Sequence, residues 1–263
     1  MDVQPRRRGL TTRFTVRGAL GAAVLLVAAS LTAVVTTAPS ARAAINPADF
    51  QQVTLARGES EVGEPMTISV LPDRSVLHTA RNGTLRRTAA DGTTSVIGTI
   101  PVYNHDEEGL QGVAADPGFA TNRFIYLYYA PPLNTPAGDA PATGTDADWT
   151  TWTGVNRLAR FTLKADFTLD PASAVTVLDV PANRGICCHV GGDIDFDAAG
   201  NLYLTTGRAV QVFDKAGQRF ETIPVPEGPT NVVFGGKDMQ TLFITARTGL
   251  YGVKMRVKGV GPQ

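Results

Sequence analysis

The chain is poor in histidine, cysteine, tryptophan and charge. Charged residues are 18% of it, with 24 Lys and Arg against 24 Asp and Glu, where ordinary globular domains carry ~25%. Without a basic excess there is no field to hold a polyanion, which excludes nucleic acid or an anionic membrane surface as the main partner. Beyond residue 43 no stretch sustains a 3.6-residue apolar period, which excludes a helical bundle. The two cysteines, Cys187 and Cys188, are neighbours. Their Cα atoms are ~3.8 Å apart, against the ~4.4–6.8 Å of an ordinary disulfide. They are either a strained local bridge or free thiols, and neither staples distant parts of the fold. The two tryptophans, Trp149 and Trp152, share one loop.

Glycine and proline are plentiful, 27 and 17, as many turns require. The N-terminus reads as a targeting segment. Arg6, Arg7, Arg8, Arg13 and Arg17 precede an uncharged run, 18–38, and Ala41-Arg42-Ala43 has the small-x-small form of a cleavage site. An uncleaved anchor is the alternative, but the Ala, Gly and Thr content favours a leader, 1–43, removed on export. The expected product is secreted and extracellular, with no stable membrane anchor.

Residues 44–258 read as a repeat. Asp73, Asp116, Asp197 and Asp238 hold similar turn positions at separations of 43, 81 and 41 residues. The middle interval is one repeat plus an insertion. Four short strands per unit at a period near 40–45 residues is the pattern of a β-propeller blade. The alternation inside NLYLTT and AVQVFD has period two, as a strand with one buried face requires. The fold class is all-β, a propeller of about four blades. The stretch 50–56, FQQVTLA, is expected to close the last blade and remove an open edge. Residues 130–156 interrupt the second blade as a Pro-, Gly- and Thr-rich loop, and its tryptophans predict that it packs on a surface. Residues 259–263 are expected to be a tail.

Two motifs carry a family likeness. Glu107-Glu108-Gly109-Leu110-Gln111-Gly112-Val113-Ala114 runs on through Asp116-Pro117-Gly118-Phe119 to Phe124–Tyr129. One blade later His189-Val190-Gly191-Gly192-Asp193 leads into Gly200–Gly207. Over about 46–207 the chain resembles the glucose/sorbosone dehydrogenases, secreted six-bladed propellers that use pyrroloquinoline quinone (PQQ) and calcium. By this likeness the present chain is shortened. From 208 to 258, Ala209–Asp214, Thr230–Asp238 and Thr241–Thr245 are similar to the last blades of the SMP-30/gluconolactonase-like family, calcium-dependent lactone hydrolases. The seam falls at Gly207-Arg208, inside a blade.

The resemblance implies His189 as general base, with Glu107 and Gln111 lining the cofactor site. It implies PQQ and Ca²⁺ as cofactors and a small-molecule sugar as substrate. The family often has Asp ahead of its base, where this chain has Cys188. Its quinone-binding cations and calcium loop belong to blades beyond those recognisable here, so no metal ligand is assigned. In the lactonase reading, the carboxylate ahead of the seam falls at Gly192, with Asp193 one place off. Asp193, Asp195 and Asp197 alternate on one strand face, either as a cation site or with Asp197 supporting the turn. His105 stands in an acidic turn that is either solvated or metal-binding, and His78 reads as a packing residue.

The leading expectation is a quinoprotein sugar dehydrogenase-like oxidoreductase acting on an aldose or polyol, with activity in question because blades are missing. The alternatives are a gluconolactonase-like hydrolase and a non-catalytic carbohydrate- or partner-binding propeller. Export predicts a mature protein that begins at Ala44, and the N-terminal peptide mass of the secreted product checks this.

Overall fold

The computed structural model describes residues 53–58, 60–186 and 190–260. The expected leader, Cys187, Cys188 and His189 lie outside them. Among the described residues, fifteen strands form four antiparallel sheets. The first holds β1 (Pro65–Val70), β2 (Val76–Ala80), β3 (Thr84–Thr88) and β4 (Thr94–Thr99). The second holds β5 (Leu110–Ala115), β6 (Phe124–Tyr129), β7 (Thr153–Leu163) and β8 (Leu169–Asn183). The third holds β9 (Ile194–Phe196), β10 (Leu202–Thr206), β11 (Ala209–Phe213) and β12 (Arg219–Pro224). The fourth holds β13 (Pro229–Gly235), β14 (Thr241–Ala246) and β15 (Leu250–Lys254). Each sheet is an up-and-down meander in chain order, which makes it a propeller blade.

The four repeat aspartates explain the period. Each accepts a hydrogen bond from the backbone N–H two residues on: Asp73 from Ser75 at 3.0 Å, Asp116 from Gly118 at 2.8 Å, Asp197 from Ala199 at 2.9 Å and Asp238 from Gln240 at 3.1 Å. This Asx turn reverses the chain between the first two strands of every blade. Asp91, Asp166 and Asp214 make the same bond in the last hairpin of the first three blades. At Asn82-Gly83-Thr84 the Asn82 side chain accepts from Thr84 N at 3.2 Å, so the structure uses that triplet as a hairpin turn.

Consecutive blades share apolar cores. Leu77, Leu85 and Ile97 of the first meet Val113, Ile125 and Phe161 of the second. Tyr128 and Leu158 meet Ile194, Phe196 and Leu204 of the third. Val210 and Val212 meet Val232, Phe234 and Leu242 of the fourth. Among the described residues no such core joins the fourth blade to the first. There Ile68, Val70 and Val96 at one end, and Val233, Phe243 and Leu250 at the other, are exposed.

Three expectations change. The described part of the expected closing strand, residues 53–56, enters no sheet, and the fourth blade has three strands among the described residues. The chain turns back at Gly58–Val62, and Arg86 of the first blade donates to the Val62 carbonyl at 3.3 Å, so this segment is anchored on the first blade. The expected tail starts as structure: Gly259 bridges Asp197, and Val260 donates to the Phe196 carbonyl at 3.1 Å. The loop is shorter than 130–156: it contains a helical turn, Asp146–Trp149, started by a capping box of Thr145 and Asp148, then a 3-10 turn, Thr150–Trp152, and β7 begins at Thr153. As expected the loop packs on a surface: Trp152 is buried beside Gly185.

Asp197 is fully buried and accepts four hydrogen bonds, from Ala199 N, Asn201 N, Asn201 Nδ2 and Tyr203 Oη. Removing the carboxylate strands the buried Tyr203 hydroxyl and three partly buried N–H donors. Asp197→Ala is expected to cost about 2–4 kcal/mol in urea unfolding, while Asp238→Ala, at the exposed equivalent turn, leaves the midpoint nearly unchanged.

Candidate active site

The first strand of each blade is its innermost, and it pairs with a neighbour on one side only. Its other edge carries backbone N–H groups that must find acceptors. In the second blade, Val113 N donates to Thr67 Oγ1 and Ala115 N to Ser69 Oγ of the first blade, each at 3.0 Å. In the fourth, Val232 N donates to Asp193 Oδ2 at 2.9 Å and Phe234 N to Asp195 Oδ2 at 2.7 Å. The alternating aspartates therefore staple the third blade to the fourth. Asp197 supports its turn, the second of the two roles that the alternation allowed. Between the second and third blades there is no room for such side chains: a Cβ on Gly112 would collide with the Gly192 carbonyl oxygen.

Beside the first of these staples the four innermost strands open into a cavity of about 200 Å³. Met66 and Thr67, Glu107 and Gln111, Val190 to Asp193, and Thr230 with Asn231 line it. Every blade contributes, so the cavity lies on their common axis. Gln111 is buried and its Nε2 donates to the Glu107 carbonyl, while its own carbonyl accepts from Thr67 Oγ1 at 3.1 Å. Glu107 is exposed at the same lining. Gly191 and Gly192 have φ of +67° and +107°. At Gly192 a Cβ would meet the Tyr128 ring, so the turn that brings the chain from residue 190 into β9 requires glycine.

Thus the structure brings Glu107 and Gln111 together with the segment that follows His189. His189 itself lies outside the described residues. Asp193 enters the site for a reason that sequence spacing did not reveal. Burial pushes its carboxyl up to about 6, against the opposing bond from Val232 N, with the nearby Asp195 adding to the rise. Burial also raises Asp195. The Asp-x-Asp-x-Asp alternation was the available signal, but the role depends on where the next blade stands.

Behind the cavity wall is a buried polar group that no motif indicated. Glu108 and Arg184 are buried, with Arg184 Nη1 3.5 Å from Glu108 Oε2. Burial pushes the Glu108 carboxyl up to about 7, and Arg184 only partly opposes this. Glu108 Oε1, Asn156 Oδ1, and Arg184 Nε and Nη1 have no hydrogen-bond partner among the described residues. His105 sits on the neighbouring surface, its Nε2 2.6 Å from Asp139 and 3.4 Å from Asp106. His78 is buried in the first blade and bonded to Thr88 Oγ1 at 3.0 Å, a packing residue as expected. No helix among the described residues is long and apolar enough to cross a membrane.

The sequence profile of the Glucose / Sorbosone dehydrogenase family matches residues 62–222, which runs through Gly207-Arg208 into β12. Several solved structures share the fold. The PQQ-bound form of an aldose sugar dehydrogenase from Streptomyces coelicolor superposes with a TM-score of 0.56 at 23% identity, over 77% of this chain and 63% of that one. The apo-form soluble aldose sugar dehydrogenase of Escherichia coli gives 0.53 at 19%, over 71% and 58%. A putative gluconolactonase gives 0.50 at 17%, over 75% and 60%. At these identities the likeness is one of fold, and the chain spans less than two thirds of each. No curated protein sequence matches.

The Glu108 shift has a signed consequence. A carboxyl held near pH 7 in the fold, against 4.5 for its ordinary value, binds its proton more tightly folded than unfolded. Its contribution to stability is complete at low pH and is lost as pH rises from about 4.5 through 7. Thermal midpoints across pH 4–8 are expected to fall less steeply for Glu108→Gln than for wild type, with a residual slope from Asp193.

Proposed function

Because the chain belongs to the glucose/sorbosone dehydrogenase family, we propose that it is a secreted sugar oxidoreductase of the quinoprotein type, its axial cavity the place where an aldose or polyol meets PQQ. The observation that supports this reading is the convergence of Glu107, Gln111 and the Val190–Asp193 segment on one cavity fed by all four blades.

The described lining fits one part of that cofactor. Gln111 and Asn231 offer amide donors suited to a quinone's carbonyl edge, while the Thr67 hydroxyl already donates to the Gln111 carbonyl. Gln111 commits one N–H to Glu107, and the amide has a second to give. The quinone's carboxylates find no Lys or Arg in the described lining, so binding is expected to be weak for the family. When bound, PQQ supplies a two-electron acceptor. The chain's own part is to orient the sugar and to move a proton. His189, directly ahead of Val190, takes the sugar hydroxyl proton, a task for which a near-neutral imidazole is suited. Glu107 and Gln111 hold the polar edge of the cavity.

Calcium does not fit here on the described residues. It wants six to eight oxygen ligands. Asp193 already accepts the Val232 N–H and Asp195 the Phe234 N–H, and the lining leaves too few oxygens to build that shell.

Titration of the purified mature protein with PQQ, followed by dye reduction with an aldose, tests the reading. Wild type is expected to bind and turn over. His189→Ala is expected to bind with turnover lowered by about 10²–10⁴-fold, the usual contribution of a general base. A wild-type protein that binds no quinone overturns the proposal. Lactone hydrolysis with a divalent metal and no quinone replaces it with the hydrolase reading.

A further inference from the structure

Arg184 stands at a joint. It is the first residue after β8 and opens the 184–193 connection to β9, the segment that carries His189 in sequence. Its side chain is fully buried. From there it reaches several separate parts of the second blade. Its backbone N donates to the Trp152 carbonyl at 2.7 Å. Its Nη2 donates to the Pro131 carbonyl at 3.2 Å and to the Val155 carbonyl. Its guanidinium lies over the Tyr103 ring, 4.9 Å from the centroid, and faces Glu108. Glu108 in turn sits between Glu107 and the start of β5, where Gln111 points back to the Glu107 carbonyl. The next residue of the connection is fixed as well. Gly185 lies against the Trp152 ring, and its carbonyl accepts from Ala140 N at 2.8 Å.

As a stability device the pair is poor. A buried ion pair offsets its desolvation only when its remaining donors and acceptors are satisfied, and well-packed apolar side chains often serve better. Here Glu108 Oε1, Asn156 Oδ1, Arg184 Nε and Arg184 Nη1 are buried with no hydrogen-bond partner among the described residues. Such a group calls for a reason other than stability.

We propose that Glu108 and Arg184 are positioning residues, a buried pair that sets the start of the connection, residues 184–186, against the end of β5 that carries Glu107 and Gln111. The quinone arm of this proposal rests on the function proposed above. The mechanical arm does not: the pair holds two chain segments at a fixed separation whatever occupies the cavity. The guanidinium supplies several donors in a rigid plane, so it reaches the Pro131 and Val155 carbonyls and Glu108 together. An ammonium does not reproduce that geometry.

The test uses the full chain in five forms: wild type, Glu108→Gln, Arg184→Met, Arg184→Lys, and Arg157→Met as control. Arg157 forms an exposed pair with Asp179 elsewhere on the same blade. Backbone hydrogen exchange is read by peptide, and PQQ affinity by titration. Exchange is expected to rise about tenfold or more over 184–193 and 103–111 in Arg184→Met, less in Glu108→Gln, and not in Arg157→Met, with the other three blades unchanged. PQQ affinity is expected to fall about tenfold or more in the same order, because a cavity wall that is no longer preorganised binds less tightly. Arg184→Lys keeps the charge and covers the case in which Arg184→Met does not fold; its expected result is the same local exchange pattern at smaller amplitude. Folded variants with wild-type exchange over both segments overturn the proposal. Raised local exchange with unchanged PQQ affinity also overturns it, because the pair is then structural. If wild type binds no PQQ the proposed function fails, the quinone arm falls with it, and exchange decides the mechanical arm.

Discussion

An innermost strand has a neighbour on one side only, and its free edge must be satisfied across the gap to the next blade. This constraint organises the molecule. In two of the three interfaces it is met by side chains two residues apart on the preceding blade: Thr67 and Ser69 at the first, Asp193 and Asp195 at the third. The hydroxyl pair stays neutral. The aspartate pair brings two carboxylates to a nearly dry edge, where burial raises both. The interface between them, from the second blade to the third, uses close backbone approach at Gly112 and Gly192 instead. Around these contacts the apolar cores fill the space between sheets, with rings such as Tyr203 and Phe234 meeting edge to face, 5.0 Å between centroids.

The cavity is the geometric remainder of that arrangement. Strand starts that converge on an axis but stop short of one another leave a hollow lined by the first staples, Thr67 and Asp193, and the residues beside them. Gln111 and Glu107 on one side and Val190–Asp193 on the other occupy those positions. The chemistry they present is uncharged donors with acidic groups and, in the described lining, no cation. The wall behind them is built differently. Glu108, Asn156 and Arg184 sit in a buried, incompletely satisfied group, and it lies where the second blade hands the chain to the third. Stability favours apolar packing at such a place, and the polar group there is the part of the fold that packing does not explain.

Much of this was legible in the sequence because it is local. The four aspartates mark turns because an Asx turn needs only its own next two residues. Strand alternation in NLYLTT and AVQVFD reports a buried face directly. The adjacency of Glu107 to Gln111 was visible as one motif. The closing strand was not legible in the same way. Residues 50–56 have strand composition, but where such a strand goes depends on partners, and Arg86 anchors the chain just ahead of the first blade. Nor was the end of the chain, read as a tail from 259 onward: Gly259 and Val260 owe their placement to Asp197 and Phe196, some sixty residues earlier.

What the sequence by itself determined is the blade: its turns, its alternation and its count, all set by contacts within about forty residues. What only the tertiary structure decided is the relation between blades. The aspartates at 193 and 195 become inter-blade acceptors rather than ligands because β13 stands 39 residues on with its N–H groups facing them. Glu108 meets Arg184 because two ends of one sheet close on each other. The reason is physical: hydrogen-bond satisfaction and burial are properties of place, and no run of residues specifies which distant edge will need an acceptor.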